Sequence, residues 1–139
     1  MIKMEPSQEY QEQLIKIRYL REQYNMLQGQ LEIINASLGN ILNTIATIEN
    51  IKEGVKQDDE ILVPIGGLVN IKASIKEPEK VLLAVTEDVI IEKDLDGALE
   101  FLNKLSEQHN KQIQFLRTQL QNVEKTIQEI SQNVQKGYT

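Results

Sequence analysis

The chain has 139 residues, which is room for one domain over 1–139, and its 21 acidic and 15 basic residues give a formal net charge of −6. This charge repels a phosphate backbone and argues against nucleic acid as a partner. There is no cysteine, so disulfides, thiolate metal sites and cysteine nucleophiles are excluded. With two phenylalanines, four tyrosines and no tryptophan, an aromatic-lined ligand pocket is not expected either.

The start of the chain carries no targeting signal that we recognise. Residues 1–6 lack the apolar core of a signal peptide, and no segment approaches the roughly 20 apolar residues of a membrane span. We therefore expect a cytoplasmic protein without a membrane partner.

The first predicted element is a long helix over residues 7–54. Ser7 is its expected N-cap after Pro6, and Gly54 follows its last turn, which contains Lys52. Apolar side chains recur in it at alternating spacings of three and four: Ile17, Leu20, Tyr24, Leu27, Leu31, Ile34, Leu38, Ile41, Ile45 and Ile48. This period of 3.5 is that of a coiled-coil seam, which is buried only against another helix with a similar stripe.

Two glycines, Gly29 and Gly39, lie inside this helix and off its seam. Each should weaken the helix by about 1 kcal/mol relative to alanine. They are interpreted either as tolerated surface glycines or as points of local flexibility.

The period changes to two over residues 61–93, where β-branched residues predict two hairpins. The first has strands at 61–65 and 68–76 around Gly66-Gly67, a two-residue loop suited to a primed turn. Pro64 cannot donate a ladder hydrogen bond, so it is expected at an edge or a bulge.

The second predicted hairpin has strands at 81–85 and 89–93 around Thr86-Glu87-Asp88. Residues 81–85 are apolar on both faces, and nothing else in this chain is an obvious cover for the second face. Another subunit is the expected cover. The candidate oligomerisation residues are Ile61, Val63, Ile65, Val69, Ile71, Val81, Leu83, Val85, Val89 and Ile91.

A second long helix is predicted over residues 94–136, with Asp94 as N-cap and Gly137 after its end. It carries a matching seam at Ile113, Leu116, Leu120, Val123, Ile127, Ile130 and Val134. Because the two helices are similar in length and the β segment between them is short, the seams can meet as an antiparallel hairpin.

The register of this second seam depends on polar residues near the start of the helix. Leu95, Leu99 and Leu102 stay in register with the later seam only if Ser106 and His109 occupy core positions. The alternative is a local stutter through Phe101 and Leu105.

No residue set predicts catalysis, a metal site or a cofactor site. His109 is the only histidine and is expected to be structural, with a weak pH effect as the alternative. The pairs Asp58/Asp59 and Glu87/Asp88 fall in predicted loops, where solvated turn residues explain them. We therefore expect no enzyme.

Apolar residues also lie beyond the regular seams, near the chain ends. Methionine and aromatic side chains suit adaptable contacts with many different proteins. The alternative is that they are frayed ends. The residues concerned are Met1, Ile2, Met4, Tyr10 and Tyr138.

Two stretches carry a family resemblance: Ile-Leu-Val-Pro-Ile-Gly-Gly at 61–67 and Val-Ile-Ile-Glu-Lys-Asp-Leu-Asp-Gly-Ala-Leu-Glu-Phe-Leu at 89–102. Set between two long seamed helices, they resemble the prefoldin family, and two hairpins resemble its alpha class over its beta class. The chain departs at Gly66-Gly67-Leu68-Val69, where the family often has a longer glycine-rich turn followed by an aromatic residue.

The resemblance implies an α+β fold, a long antiparallel coiled-coil hairpin whose two β-hairpins join an oligomeric β-barrel. It implies a hexamer with prefoldin beta subunits, two alpha and four beta. Such a complex is an ATP-independent chaperone that needs no cofactor, holds non-native client proteins at the coiled-coil tips and delivers them to a group II chaperonin. The five apolar residues near the chain ends are then the candidate client contacts.

The alternative is a filament-forming or scaffolding coiled-coil protein without client transfer. A closed hexamer favours the chaperone, whereas open-ended polymers or a stable lone dimer favour the scaffold.

Overall fold

The computed structural model describes residues 7–136. Along the chain, two long helices flank two small antiparallel β-hairpins. This element order confirms the predicted combination of long helices with two hairpins between them. The elements are α1 Gln8–Gly54, β1 Glu60–Pro64, β2 Asn70–Ser74, β3 Lys80–Ala84, β4 Ile90–Asp94 and α2 Leu95–Lys136. Over the described residues, neither helix has an apolar stretch of the length and hydropathy needed to cross a membrane.

Both predicted N-caps are present. Ser7 Oγ accepts a hydrogen bond from the Tyr10 N–H at 3.1 Å, and Asp94 Oδ1 accepts one from the Gly97 N–H at 2.7 Å. Each side chain satisfies a helix N–H that has no partner within the helix. A Cβ at Gly97 would lie 2.6 Å from Asp94 Oδ1, so a larger residue at this position would have to displace the capping carboxylate.

The chain forms two compact units. The first contains, of the described residues, 7–37 and 109–136, and we call it the helical unit. The second contains residues 38–108 and is called the mixed unit because it holds all four strands.

In the helical unit, α1 and α2 run antiparallel and bury the predicted seam. Ser37 Oγ lies 2.9 Å from His109 Nε2, while Leu14 and Val134, far along each helix, line one groove. Ile113 and Leu116 are each 4% exposed. The remaining seam positions of this unit are buried or half-buried.

The core of the mixed unit is built by α1 and α2, with β3 packed against it through Val81. Ser106 is buried and His109 is half-buried, so the seam of α2 keeps its regular register through these two polar residues. Phe101 and Leu105 are half-buried and pack against the same core. The buried members of that core are Ile41, Ile48, Leu95, Ala98 and Leu102.

The two hairpins repeat one another at a distance of 20 residues. In the first, Glu60 pairs with Ser74 and Pro64 with Asn70. In the second, Lys80 pairs with Asp94 and Ala84 with Ile90. The predicted loop Thr86-Glu87-Asp88 is confirmed, because the Val85 N–H donates to the Val89 carbonyl at 2.9 Å.

The predicted two-residue primed turn at Gly66-Gly67 is wrong. The Ile65 N–H donates to the Val69 carbonyl at 2.9 Å, so the loop has three residues and includes Leu68. No glycine among residues 7–136 has the positive φ that a primed turn needs. A two-residue loop would shift the register by one and set the apolar face of β1 against the polar face of β2.

A pair of glycine substitutions tests the cap of α2. We expect Gly29→Ala to raise the free energy of unfolding by about 1 kcal/mol, because alanine is the better helix former and the site has open space. Gly97→Ala should bring no such gain, because its Cβ displaces the Asp94 carboxylate and about 1 kcal/mol of capping is lost. Urea unfolding at one protein concentration measures both. Equal gains in the two variants would contradict the role given to Gly97.

Ser37 and His109 form a polar layer within the apolar seam of the helical unit. A double-mutant cycle tests this layer. Ser37→Ala should cost about 1 kcal/mol, because half-buried His109 loses a hydrogen-bond partner. Adding His109→Leu should recover that loss, because the layer becomes apolar, as the rest of the seam is. Thr118→Ala is the control, since that hydroxyl bonds only to Gln114 of its own helix among the contacts described. Thermal unfolding that ranks Ser37→Ala with the control would show that the layer does not stabilise the unit.

Candidate functional site

The strand edges of both hairpins are open. Within residues 7–136, β1 pairs only with β2, and β3 only with β4, so each strand has one edge without a neighbour. Unpaired edges are templates for strands of another chain. An isolated two-stranded hairpin is marginally stable, so the hairpins gain most from a partner that extends them.

The predicted oligomerisation residues divide into two groups in the structure. Ile61, Val63, Val81, Leu83 and Ile91 are half-buried within the chain. The other five are exposed and available to a partner: Ile65, Val69, Ile71, Val85 and Val89. The hairpins thus present apolar side chains near their loops, where the chain itself covers them least.

Sequence reasoning missed four large apolar residues on the hairpins. Leu68 is 98% exposed at the tip of the first loop, and Leu82 is 74% exposed on β3. Ile90 is exposed on the same face of the second hairpin as Leu82, and Leu62 is exposed on the corresponding face of the first hairpin. The signal was present at residues 81–85, which are apolar on both faces. Both faces of the hairpins therefore carry large apolar side chains.

The two hairpins carry the same ion pair with its signs exchanged. Glu60 and Lys72 approach to 3.7 Å across the first hairpin, and Lys80 and Glu92 to 4.0 Å across the second. These positions correspond in the 20-residue repeat. Exposed pairs stabilise little. Their consequence is that the two hairpins offer opposite charge patterns to a partner.

An ion pair closes the mixed unit between the end of α1 and the start of α2. Lys52 Nζ donates to Asp96 Oδ1 at 2.6 Å. This hydrogen bond raises the pKa of the Lys52 amine above its usual value, and the negative charge of Asp96 raises it further. The Lys52 amine is therefore charged at neutral pH, and its small contribution to the pair is lost as the pH rises through that raised pKa.

The helical unit has a groove near the start of α1 and the end of α2. Its volume is about 550 Å³, and its lining combines Leu14, Ile17 and Val134 with Arg18 and Arg21. Leu14 is exposed and lies outside the seam, which is why the heptad pattern did not identify it. The groove offers apolar contact bordered by two arginines and by Glu22.

The predicted client contacts are only partly visible. Tyr10 is half-buried in the first turn of α1, where its N–H donates to the Ser7 cap. Met1, Ile2, Met4 and Tyr138 lie outside the described residues. Within residues 7–136, no group of three acidic or histidine side chains is placed to hold a metal ion. What the described surfaces can do is bind proteins through strand edges and apolar side chains.

Comparison with known proteins gives a family. Residues 20–139 match the sequence profile of the prefoldin family, described as "Prefoldin subunit". The chain is 31% identical to Prefoldin subunit alpha of Thermofilum pendens, over 83% of this chain and 94% of that protein. It is 26% identical to Prefoldin subunit alpha of Pyrococcus horikoshii, over 84% of this chain and 79% of that protein.

A beta subunit and a solved structure are similar as well. Prefoldin subunit beta of Sulfurisphaera tokodaii is 25% identical over 88% of this chain and 83% of that protein. A cryo-EM structure of filamentous PFD from Methanocaldococcus jannaschii matches with a TM-score of 0.73, covering 84% of this chain and 96% of that one. Its sequence identity is 16%, so the likeness concerns the fold. The chain belongs to the prefoldin family, and its likeness to several alpha subunits confirms the resemblance expected from its sequence.

Proposed function

We propose that this chain is an alpha-type subunit of a cytoplasmic, ATP-independent holdase. It captures non-native proteins at the ends of its coiled coil and delivers them to a group II chaperonin. Membership of the prefoldin family makes the chain a chaperone subunit and places it in a family that is not enzymatic. Client capture, delivery and location are the parts that we propose.

The observation that carries the proposal is the pair of open hairpins. Their exposed apolar residues and unpaired edges suit strands from other subunits, and prefoldin subunits form oligomers. We propose that the partners are beta subunits, in a complex of two alpha and four beta chains whose hairpins join into a double barrel. The opposite charges of the hairpins would help each one select its neighbour.

Client capture is assigned to the other end of the helices. The groove lined by Leu14, Ile17 and Val134 lies where the helices approach the chain ends. Four candidate contacts, Met1, Ile2, Met4 and Tyr10, precede the groove residues of α1 in the sequence, and Tyr138 follows those of α2. Apolar side chains beside Arg18 and Arg21 suit the mixed surfaces of unfolded chains.

A filament-forming scaffold remains the competing function. The structural likeness to a filamentous PFD is at 16% identity and carries the fold alone. The proposed complex is closed, whereas a filament grows with concentration.

One prediction concerns assembly. Co-expression with a beta-type subunit from the same genome should give a complex whose native mass fits two alpha and four beta chains. Leu82→Lys should abolish this complex, because it places a charge on an exposed apolar position of β3. Phe115→Lys is the matched control, since Phe115 is 61% exposed on α2 and should leave the complex intact. Open-ended polymers would instead favour the scaffold.

A second prediction concerns client capture. Deleting residues 1–6 and 137–139 should weaken suppression of client aggregation, measured by light scattering without ATP. Leu14→Ser should weaken it further, because it removes apolar surface from the groove. Native mass measured in parallel should show an unchanged complex. If protection persists with the complex intact, the assignment of capture to this end is wrong.

A further inference from the structure

The outer face of α1 in the helical unit carries an apolar stripe that the fold does not use. We call Ile15, Tyr19, Met26 and Ile33 the outer stripe; all four are exposed, Ile33 by 70%. They lie away from the buried seam, at positions where a two-helix coiled coil is normally polar. In the described part of α2 in this unit, the one large apolar residue with comparable exposure is Phe115.

The spacing of the stripe is that of a second coiled-coil seam. Tyr19, Met26 and Ile33 recur every seven residues, with Glu22 and Gly29 between them on this face and Ala36 beyond Ile33. A Cβ at Gly29 would meet nothing within 4 Å, so nothing inside the chain requires glycine there. A straight stripe with a seven-residue period is covered best by another helix lying alongside.

We propose that the outer stripe pairs with the same stripe of a second copy of this chain, with the two α1 helices antiparallel. When residues 15–33 of the two copies are aligned over their whole length, Ile15 of each copy lies against Ile33 of the other. Tyr19 lies against Gly29, so the bulkiest side chain of the stripe meets bare backbone. Such a contact is self-complementary and closes on itself as a two-fold dimer.

The charges beside the stripe select the antiparallel direction. Arg18 and Glu32 lie along the same flank, and neither has an ion pair within residues 7–136. Antiparallel pairing sets Arg18 of each copy against Glu32 of the other, and uncharged Asn25 against its counterpart. Glu22, the charged residue between Tyr19 and Met26 on this face, then opposes Met26. Parallel pairing would set Glu22 against Glu22 and is disfavoured.

Cysteine cross-linking of the full-length chain tests the pairing, because the chain has no cysteine of its own. Asn25→Cys should form a disulfide-linked dimer under mild oxidation. Arg18→Cys alone and Glu32→Cys alone should each run as monomers on gels without reducing agent. A mixture of the two variants should form a cross-linked dimer. In the proposed register the two Arg18 positions of a dimer lie about 21 Å apart along the helix axis, as do the two Glu32 positions, which is too far for a disulfide.

A glycine pair separates docking from folding. Gly29→Gln should raise the thermal midpoint, since glutamine is the better helix former, yet lower the Asn25→Cys cross-linking rate at least tenfold by filling the place of Tyr19 of the second copy. Gly39→Gln is the matched control, with equal open space and a position beyond the stripe. It should raise the midpoint without changing the cross-linking rate.

Three results would overturn the inference. One is cross-linking of Arg18→Cys alone as fast as the mixture. Another is an unchanged rate in Gly29→Gln. The third is no cross-link of Asn25→Cys at any concentration; if Met26→Ser then also weakens client protection, the stripe is assigned to client segments. Neither a client nor a beta subunit enters the cross-linking assay, so its outcome is independent of the proposed function.

Discussion

The burial of one narrow seam is the constraint on which the rest of the structure depends. A stripe with a period of 3.5 can leave water only along a partner helix, so α1 and α2 must lie side by side. In the mixed unit this pairing also builds the core on which β3 rests through Val81. The helices bury little else, which is why the hairpins and the outer face of α1 keep their apolar residues exposed.

The polar residues of the seam show how such a stripe acquires a single register. A seam made only of leucine and isoleucine permits helices to slide by one heptad at small cost. Ser37 and His109 satisfy each other at 2.9 Å, and a slide would separate them. The layer thus exchanges some apolar burial for a defined alignment, a use of buried polar groups known from other coiled coils.

Much of the fold was predictable from the sequence because its signals are periodic and local. The seams, Ser7, Asp94 and the second loop follow from heptads and capping chemistry. The first loop was not predicted because Gly66-Gly67 favours a primed turn locally, while matching Ile61 and Val63 with Ile71 and Ala73 decides the register. Leu14, Leu62 and Leu82 were missed because exposure depends on what each element packs against. For the apolar residues near the chain ends, composition alone could not distinguish client-binding residues from residues of frayed ends.

The repeated hairpins have a consequence for how this protein can diverge. Both have five-residue strands, three-residue loops and the same register, so they are interchangeable as backbones. They differ in side chains at the surface, where the ion pair is inverted. A few charge substitutions could therefore redirect one hairpin to a new neighbour without disturbing the other hairpin or the helices. The β segment works as two independently adjustable connectors on one scaffold.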